Sequence, residues 1–388
     1  MTGERSTPVP LCDILSQYRS LQDEIDSAVL QVLKSGQAIG GPEVVEFERE
    51  AAEFCGVDHA IGCADGTNAI LLALAALDVG PGDEVILPPF TFFATVGSII
   101  RTGATPVFAD IDPHTFNIDP QAIEAKVTGK TKAIMPVHLF GQCADMEPIW
   151  DIAERYGLYV VEDAAQSFGA EYQGRRCGNL GVISCFSFYP SKNLGTMGDA
   201  GMVTTNNAAL AKKLSALRVH GSEQKYFHKY IGWNARLDAV QAAILRVKLP
   251  HVEGWIDARR QAAARYDDLI EDAGLHGFFH RPAVRPYGRH SFNQYVVRVP
   301  ANHRDSLVKF LKGENVGCEV YYPLCLHQQE CIADLGYAYG DGDFPISEEA
   351  ARTVAALPMF PEITEAQQHR VVDACSMYVR QKLRSIAA

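Results

Sequence analysis

The chain has 388 residues, 47% of them hydrophobic and 21% charged, with a formal net charge of −12. That length suits two domains and that balance suits an α/β protein with a large core. The acidic balance, with no basic run and no apolar run near the roughly 18 residues of a membrane span, argues against nucleic-acid and membrane partners.

Residues 17–34 carry apolar positions at helical spacing, Leu21, Ile25, Val29, Val32 and Leu33, and Gly36 should end that helix. Gly40-Gly41-Pro42 reads as a turn, and Val44 to Cys55 as a second amphipathic helix. Ala60 to Cys63 is a short strand entering Asp65-Gly66-Thr67-Asn68, followed by an apolar helix from Ala69 to Leu77. Strands are predicted at 84–87, 106–109, 133–137 and 158–161, and helices at 94–100, 121–127 and 146–156. Short β-branched runs alternating with helices imply parallel strands with crossover helices. Val182 to Phe188 and Gly201 to Thr205 read as further strands, into and out of a loop that carries Lys192.

The character changes after Pro250. A helix rich in Arg and Ala runs from about Trp255 to Glu271. A strand at 293–299, a helix at 304–312 and a closing helix at 365–383 follow, and 282–288 reads as a surface loop. The expected division is a large domain over 1–250 and a smaller α+β domain over 251–388. The N-terminal MTGERSTPVP lacks a signal layout. The ten cysteines are scattered, with no C-x-x-C pair, so reduced cytoplasmic thiols are expected and a metal site is not.

Lys192 ends the run Ser187-Phe188-Tyr189-Pro190-Ser191-Lys192. Upstream, the apolar run Tyr159-Val160-Val161 leads into Glu162-Asp163-Ala164-Ala165-Gln166-Ser167. This arrangement suits a lysine that forms a Schiff base with pyridoxal 5′-phosphate (PLP) and an aspartate that keeps the pyridinium nitrogen protonated. The plainer alternative for Lys192 is a solvated surface lysine, but Phe186, Phe188, Tyr189 and Pro190 argue for a lined pocket. Asp163 falls at the carboxyl end of an apolar strand, where open α/β sheets bind ligands. A cap or a structural ion pair would also explain it. Gln166 is placed to hydrogen-bond the cofactor's phenolic oxygen. The turn Asp65-Gly66-Thr67-Asn68 offers N–H groups at the positive end of a helix dipole, which suits a phosphate, although an ordinary Asp cap reads the same way. Phe92 follows a strand end and either covers a planar ring or joins Phe90 and Phe93 in the core.

In this order the motifs resemble the DegT/DnrJ/EryC1/StrS family of PLP-dependent sugar aminotransferases, a branch of the fold-type I aminotransferases. The resemblance runs from about Pro10 to Gln367. It includes Ser35-Gly36 with Gly40-Gly41-Pro42, Val137 to Gly141, Glu162 to Ser167, Ser187 to Lys192, Asn234 to Leu237, Tyr322-Pro323 with Leu326-His327, and Leu357-Pro358 with Pro361. It implies an α/β fold with a mostly parallel seven-stranded sheet flanked by helices. By the resemblance, Lys192 is the Schiff-base lysine and base, and Asp163 the pyridinium partner. Gln166 binds the ring oxygen and Phe92 stacks on the ring. Gly66, Thr67 and Ser187 hold the phosphate, and Asn234 reaches the cofactor of a neighbouring subunit in a homodimer with shared sites. Arg236, Tyr321, Tyr322 and His327 match positions that line the sugar-nucleotide pocket.

Two positions depart from the family pattern. Asp65 replaces the usual Ser or Asn, and its carboxylate is expected to cap the helix rather than face a phosphate. Cys325 stands where proline is common. The implied activity is ping-pong transfer of an amino group from L-glutamate to a keto sugar on a nucleotide diphosphate. The Tyr321-Tyr322-Pro323 loop with Leu326-His327 resembles members that act at C3 of the hexose. Related dehydratases carry histidine in place of the lysine, and a regulatory protein on the same fold would have no chemical need of Lys192.

Overall fold

The structure is a computed structural model that describes residues 8–387, with side chains described through Lys382. The first seven residues, read above for a signal layout, lie outside the described residues. The expected first helix is two helices, Ile14–Ser20 and Gln22–Ser35, which break at Leu21. Asp13 caps the first by accepting the Ser16 N–H at 2.9 Å. Gly36, at φ 70°, ends the second in the left-handed conformation that glycine adopts without strain.

The sheet is built from β1 (His59–Cys63), β2 (Glu84–Leu87), β3 (Thr105–Phe108), β4 (Thr131–Ile134) and β5 (Tyr159–Asp163). A small hairpin, β6 (Glu171–Tyr172) and β7 (Arg175–Arg176), precedes β8 (Ile183–Ser187) and β9 (Gly201–Thr205). Seven of these strands form one sheet in the order β1-β9-β8-β5-β4-β2-β3. Strands β2, β3, β4, β5 and β8 pair in parallel, whereas β9 is antiparallel to both neighbours. The reason is local. Parallel neighbours are joined by a crossover, usually a helix, but β8 and β9 are joined by the lysine loop with no helix in it, and the chain returns antiparallel. Apolar clusters cover both faces, one around Phe47, Ile149, Phe186 and Ile256 and the other around Leu72, Val85, Phe108 and Leu214.

Two helices over this sheet, Ala208–Leu217 and Ala239–Lys248, were not anticipated. Nor was the exposed hairpin of β10 (Ser222–Gln224) and β11 (Phe227–His228). Beyond it the helix Val252–Asp272 leads into the smaller domain. Within the expected loop 282–288, Gly288 begins β12 (Gly288–Arg289), which pairs with β6. In the small domain β13 (Tyr295–Arg298) pairs antiparallel with the unanticipated β14 (Val354–Leu357), under the helices Ala301–Gly313 and Glu365–Ala387. The N-terminal strap also packs here. Val9 bridges to Val316 and sits in the small-domain core, so residues 8–12 serve the small domain although they precede the large one.

Candidate active site

Asp163 is the last residue of β5 and is buried. Its main chain is pinned on both sides, its N–H to the Pro136 carbonyl at 2.9 Å and its carbonyl accepting from the His138 N–H at 3.0 Å. Its carboxylate accepts from Thr95 Oγ1 at 2.7 Å and from the Ala165 N–H at 3.2 Å. Burial pushes its pKa up, opposed by the Thr95 and Ala165 hydrogen bonds and by the charge of Lys192. A buried carboxylate with so little compensation favours a cationic partner.

Its neighbour Glu162 has the opposite fate. It accepts from His138 Nε2 at 3.0 Å, from the N–H groups of Gly178 at 3.1 Å and of Leu180 and Gly181 at 2.7 Å each, and from the Ser184 hydroxyl. Burial alone would raise the Glu162 carboxyl, but hydrogen bonds from His138, Ser184 and Gly178 outweigh it and hold it low. The Ala144 N–H donates to His138 Nδ1 at 3.1 Å, so Nε2 carries the proton given to Glu162. Cys177 completes a close buried group with these two. Both carboxylate oxygens of Glu162 are occupied by protein donors, and the group anchors the strand end behind the site.

Lys192 lies in the loop between β8 and β9 and lines a cavity of about 490 Å³. Burial pulls its pKa down to about 8, against the pull of the Asp163 charge. The loop closes on itself, with the Lys192 N–H on the Tyr189 carbonyl and the Thr196 N–H on the Phe188 carbonyl, each at 2.9 Å.

The helix Gly66–Ala76 begins at the same cavity. Asp65 caps it as expected, accepting the Asn68 N–H at 2.8 Å and Asn68 Nδ2 at 2.6 Å. The N–H groups of Gly66 and Thr67, which have no partner within a helix, are left for a ligand. A Cβ at Gly66 would stand 2.7 Å from Ser187 Cβ, so the close approach of this turn to β8 requires glycine.

Gln166 Oε1 accepts the Phe140 N–H at 2.7 Å, which fixes the amide so that Nε2 donates to Tyr322 Oη at 3.0 Å. Phe92 is 57% exposed at the mouth, its ring 6.1 Å from that of Tyr322. The cavity thus gathers Gly66, Thr67, Phe92, Asp163, Gln166, Ser187, Lys192, Tyr321 and Tyr322.

Three of the expected residues are not in its wall. Asn234 is exposed, and Arg236 pairs with Cys63 at the end of β1, its buried Nε without a partner among the described residues. His327 is a correction. The turn Leu326–Gln328 directs its ring inward against Phe108 and Phe344, 3.3 Å from Glu348 Oε1, rather than into the cavity. Sequence reasoning missed Thr95. It is the third residue of the helix Phe93–Arg101, and a hydroxyl at the start of a helix beside a strand end was the available signal.

These residues fit PLP. A glycine-tight helix start can hold the phosphate, a buried carboxylate the ring nitrogen, a neutralisable lysine the aldehyde carbon, and an exposed phenylalanine a ring face. Comparison with known proteins agrees. Residues 19–376 match the DegT/DnrJ/EryC1/StrS aminotransferase family, and the chain belongs to it. It is a PLP-dependent sugar aminotransferase of fold-type I. The chain is 50% identical to a Geobacillus stearothermophilus protein named pleiotropic regulatory protein, over 96% of this chain and 99% of the other. It is 42% identical to an Acidithiobacillus ferrooxidans UDP-N-acetyl-3-dehydro-α-D-glucosamine 3-aminotransferase, over 95% and 97%. Streptomyces venezuelae DesV, solved in complex with a ketimine intermediate, superposes with a TM-score of 0.92 at 40% identity, over 96% of this chain and 99% of that one. No helix among the described residues is long and apolar enough to cross a membrane.

Proposed function

We propose that the enzyme moves an amino group from L-glutamate to the C3 ketone of a hexose carried on a nucleotide diphosphate, as a cytoplasmic homodimer with shared sites. The observation that carries this reading is Lys192 in the same cavity as Asp163 and the free helix start at Gly66. The 3-aminotransferase name of the Acidithiobacillus relative supports the position on the sugar. Bound PLP supplies an electron sink for the substrate carbanion. The chain's own groups do the rest. Lys192, at a pKa of about 8, is partly neutral at cellular pH and can both take and return a proton. Asp163, buried and short of donors, stabilises a positive charge on the facing nitrogen. Gly66, Thr67 and Ser187 bind the phosphate, and Phe92 covers the ring from the mouth.

The homodimer is supported by the surface next to Asn234. Tyr226, Phe227 and Ile231 are exposed, Ile231 by 95%, around the hairpin β10–β11. Apolar side chains so gathered mark an interaction surface. Asn234 is exposed beside it, where it can complete a neighbour's site, and Arg236, two residues on, carries the positive charge for a diphosphate or a carboxylate. The ten free cysteines fit a reducing compartment.

The regulatory reading has one observation in its favour, the name of the Geobacillus relative. Against it stand Lys192 and Asp163, which a binder does not need. A dehydratase would not need the lysine either. The test is the absorbance of the purified protein with added PLP. A band near roughly 410–420 nm, moving to about 330 nm with L-glutamate and returning with a 3-keto UDP- or dTDP-hexose, is expected. No band sinks the assigned cofactor site, and a band that glutamate leaves unmoved sinks glutamate as the amino donor. Full biological activity of Lys192→Ala would establish the regulator.

A further inference from the structure

Lys248 is the last residue of the helix Ala239–Lys248, and it is 0% exposed. A fully buried ammonium survives only with hydrogen-bond partners. Lys248 Nζ donates to the Gly195 carbonyl at 2.7 Å and to Gln17 Oε1 at 3.0 Å. Gly195 lies three residues after Lys192. A Cβ there would sit 2.4 Å from the Pro190 carbonyl oxygen, so the turn 190–195 is closed tightly on itself. The same helix grips the turn again, where Thr196 Oγ1 donates to Gln241 Oε1 at 2.5 Å.

Gln17 is the buried residue of the helix Ile14–Ser20. The strap before it is bonded to the small domain, the Gly317 N–H to the Val9 carbonyl at 2.8 Å and the Met359 N–H to the Leu11 carbonyl at 3.0 Å. The charged and titratable groups facing Lys248 are Glu362 and Cys12, and Glu362 in turn faces Arg259 and Asp13. Among the described residues Glu362 Oε2 is buried without a partner. Burial pulls Lys248 down to about 8, with the Glu362 charge opposing.

We propose that Lys248 is a positioning residue for the reaction. It ties the loop of the catalytic Lys192 to the N-terminal strap, and through the strap to the small domain. The amine of Lys192 serves both half-reactions, so loosening its loop slows both alike and leaves substrate binding nearly unchanged.

The experiment uses the full-length enzyme carrying Lys248→Met. Misplacement of the amine should lower the rates of both half-reactions by about 10- to 100-fold. KM for glutamate should stay within about twofold, as expected when only a transition-state interaction is lost. In the PLP-free protein, amide exchange of the peptide covering 190–196 should quicken by about tenfold or more, with exchange in β5 and in the helix Gly66–Ala76 unchanged. Unchanged exchange at 190–196, or wild-type rates in the folded variant, would overturn the proposal. Exchange that rises across the whole large domain would do so too, because Lys248 would then be only a core residue. If Lys248→Met does not fold, Gln17→Leu removes one acceptor and keeps the Gly195 contact. It should show the same signature at about 3- to 10-fold, and unaltered rates with unaltered exchange would overturn the proposal equally.

Discussion

The floor and the rim of the cavity are built differently. At the floor Gln166, and just behind it Glu162 and His138, are buried and held by hydrogen bonds within the one chain. At the rim Phe92 is exposed, and outside the cavity wall so are Tyr226, Phe227, Ile231 and Asn234, on and beside the hairpin β10–β11. The floor must hold charges in fixed places out of water, so its partners come from adjacent strand ends. The rim must admit a substrate and, in the proposed dimer, be closed by a second copy. A single chain therefore completes the chemistry's floor and leaves the binding surface open.

The sharpest way to break the contrast is Lys192→Ala. It should cut both half-reactions by about 1,000-fold or more while the protein stays folded, as stopped-flow absorbance would show. Asp163→Asn should keep PLP but slow turnover by about 100-fold, because a preorganised charge opposite the ring nitrogen is gone. Unchanged turnover in steady-state assays would remove that role. On the surface beside the hairpin β10–β11, Ile231→Glu should weaken self-association by about tenfold or more, read by sedimentation, with floor chemistry recovered at high protein concentration. Tyr322→Phe deletes the hydroxyl that accepts from Gln166 and should cost about 1 kcal/mol, under tenfold in kcat. The pH dependence of Lys192 sharpens the same contrast. Its pKa falls from 10.5 to about 8, so its neutral, reactive form is present above about pH 8 and is lost as pH drops below it. In the PLP-free protein, acylation of Lys192 followed by peptide mass analysis should reach half-maximum near pH 8, whereas exposed lysines should lag toward their ordinary 10.4.

Most strands were legible because their residues are locally consistent. Val85-Ile86-Leu87 and Tyr159-Val160-Val161 read as strands from their residues alone, although the second runs on to Asp163. The strand Val354–Leu357 was not legible, since Val-Ala-Ala-Leu suits a helix as well, and only pairing with β13 decides it. The helix Ala239–Lys248 escaped notice although it carries the residue that holds the lysine turn. That Lys192, Asp163 and Gln166 belong together could be read from short motifs, because each lies at a strand end or in the loop after one, and all three line the cavity. Thr95 left only a weak signal, a hydroxyl at a helix start, and Lys248 could not be singled out, because a lysine is an ordinary residue until folding places it. His327 misled for the reverse reason. A histidine after Tyr-Tyr-Pro looked like a substrate ligand, yet the aromatic cluster around Phe108 draws it into the core.

By itself the sequence determined the α/β class, the alternation of strands and helices, and the lysine and aspartate to which the proposed cofactor roles are assigned. These rest on local propensity and on motifs a few residues long. Only the tertiary structure decided that β9 runs against its neighbours, that the N-terminal strap serves the small domain, and that Glu162 is saturated while Asp163 is left wanting a cation. Each of those depends on residues far apart in the chain meeting out of water, where hydrogen-bond satisfaction rather than propensity sets the outcome.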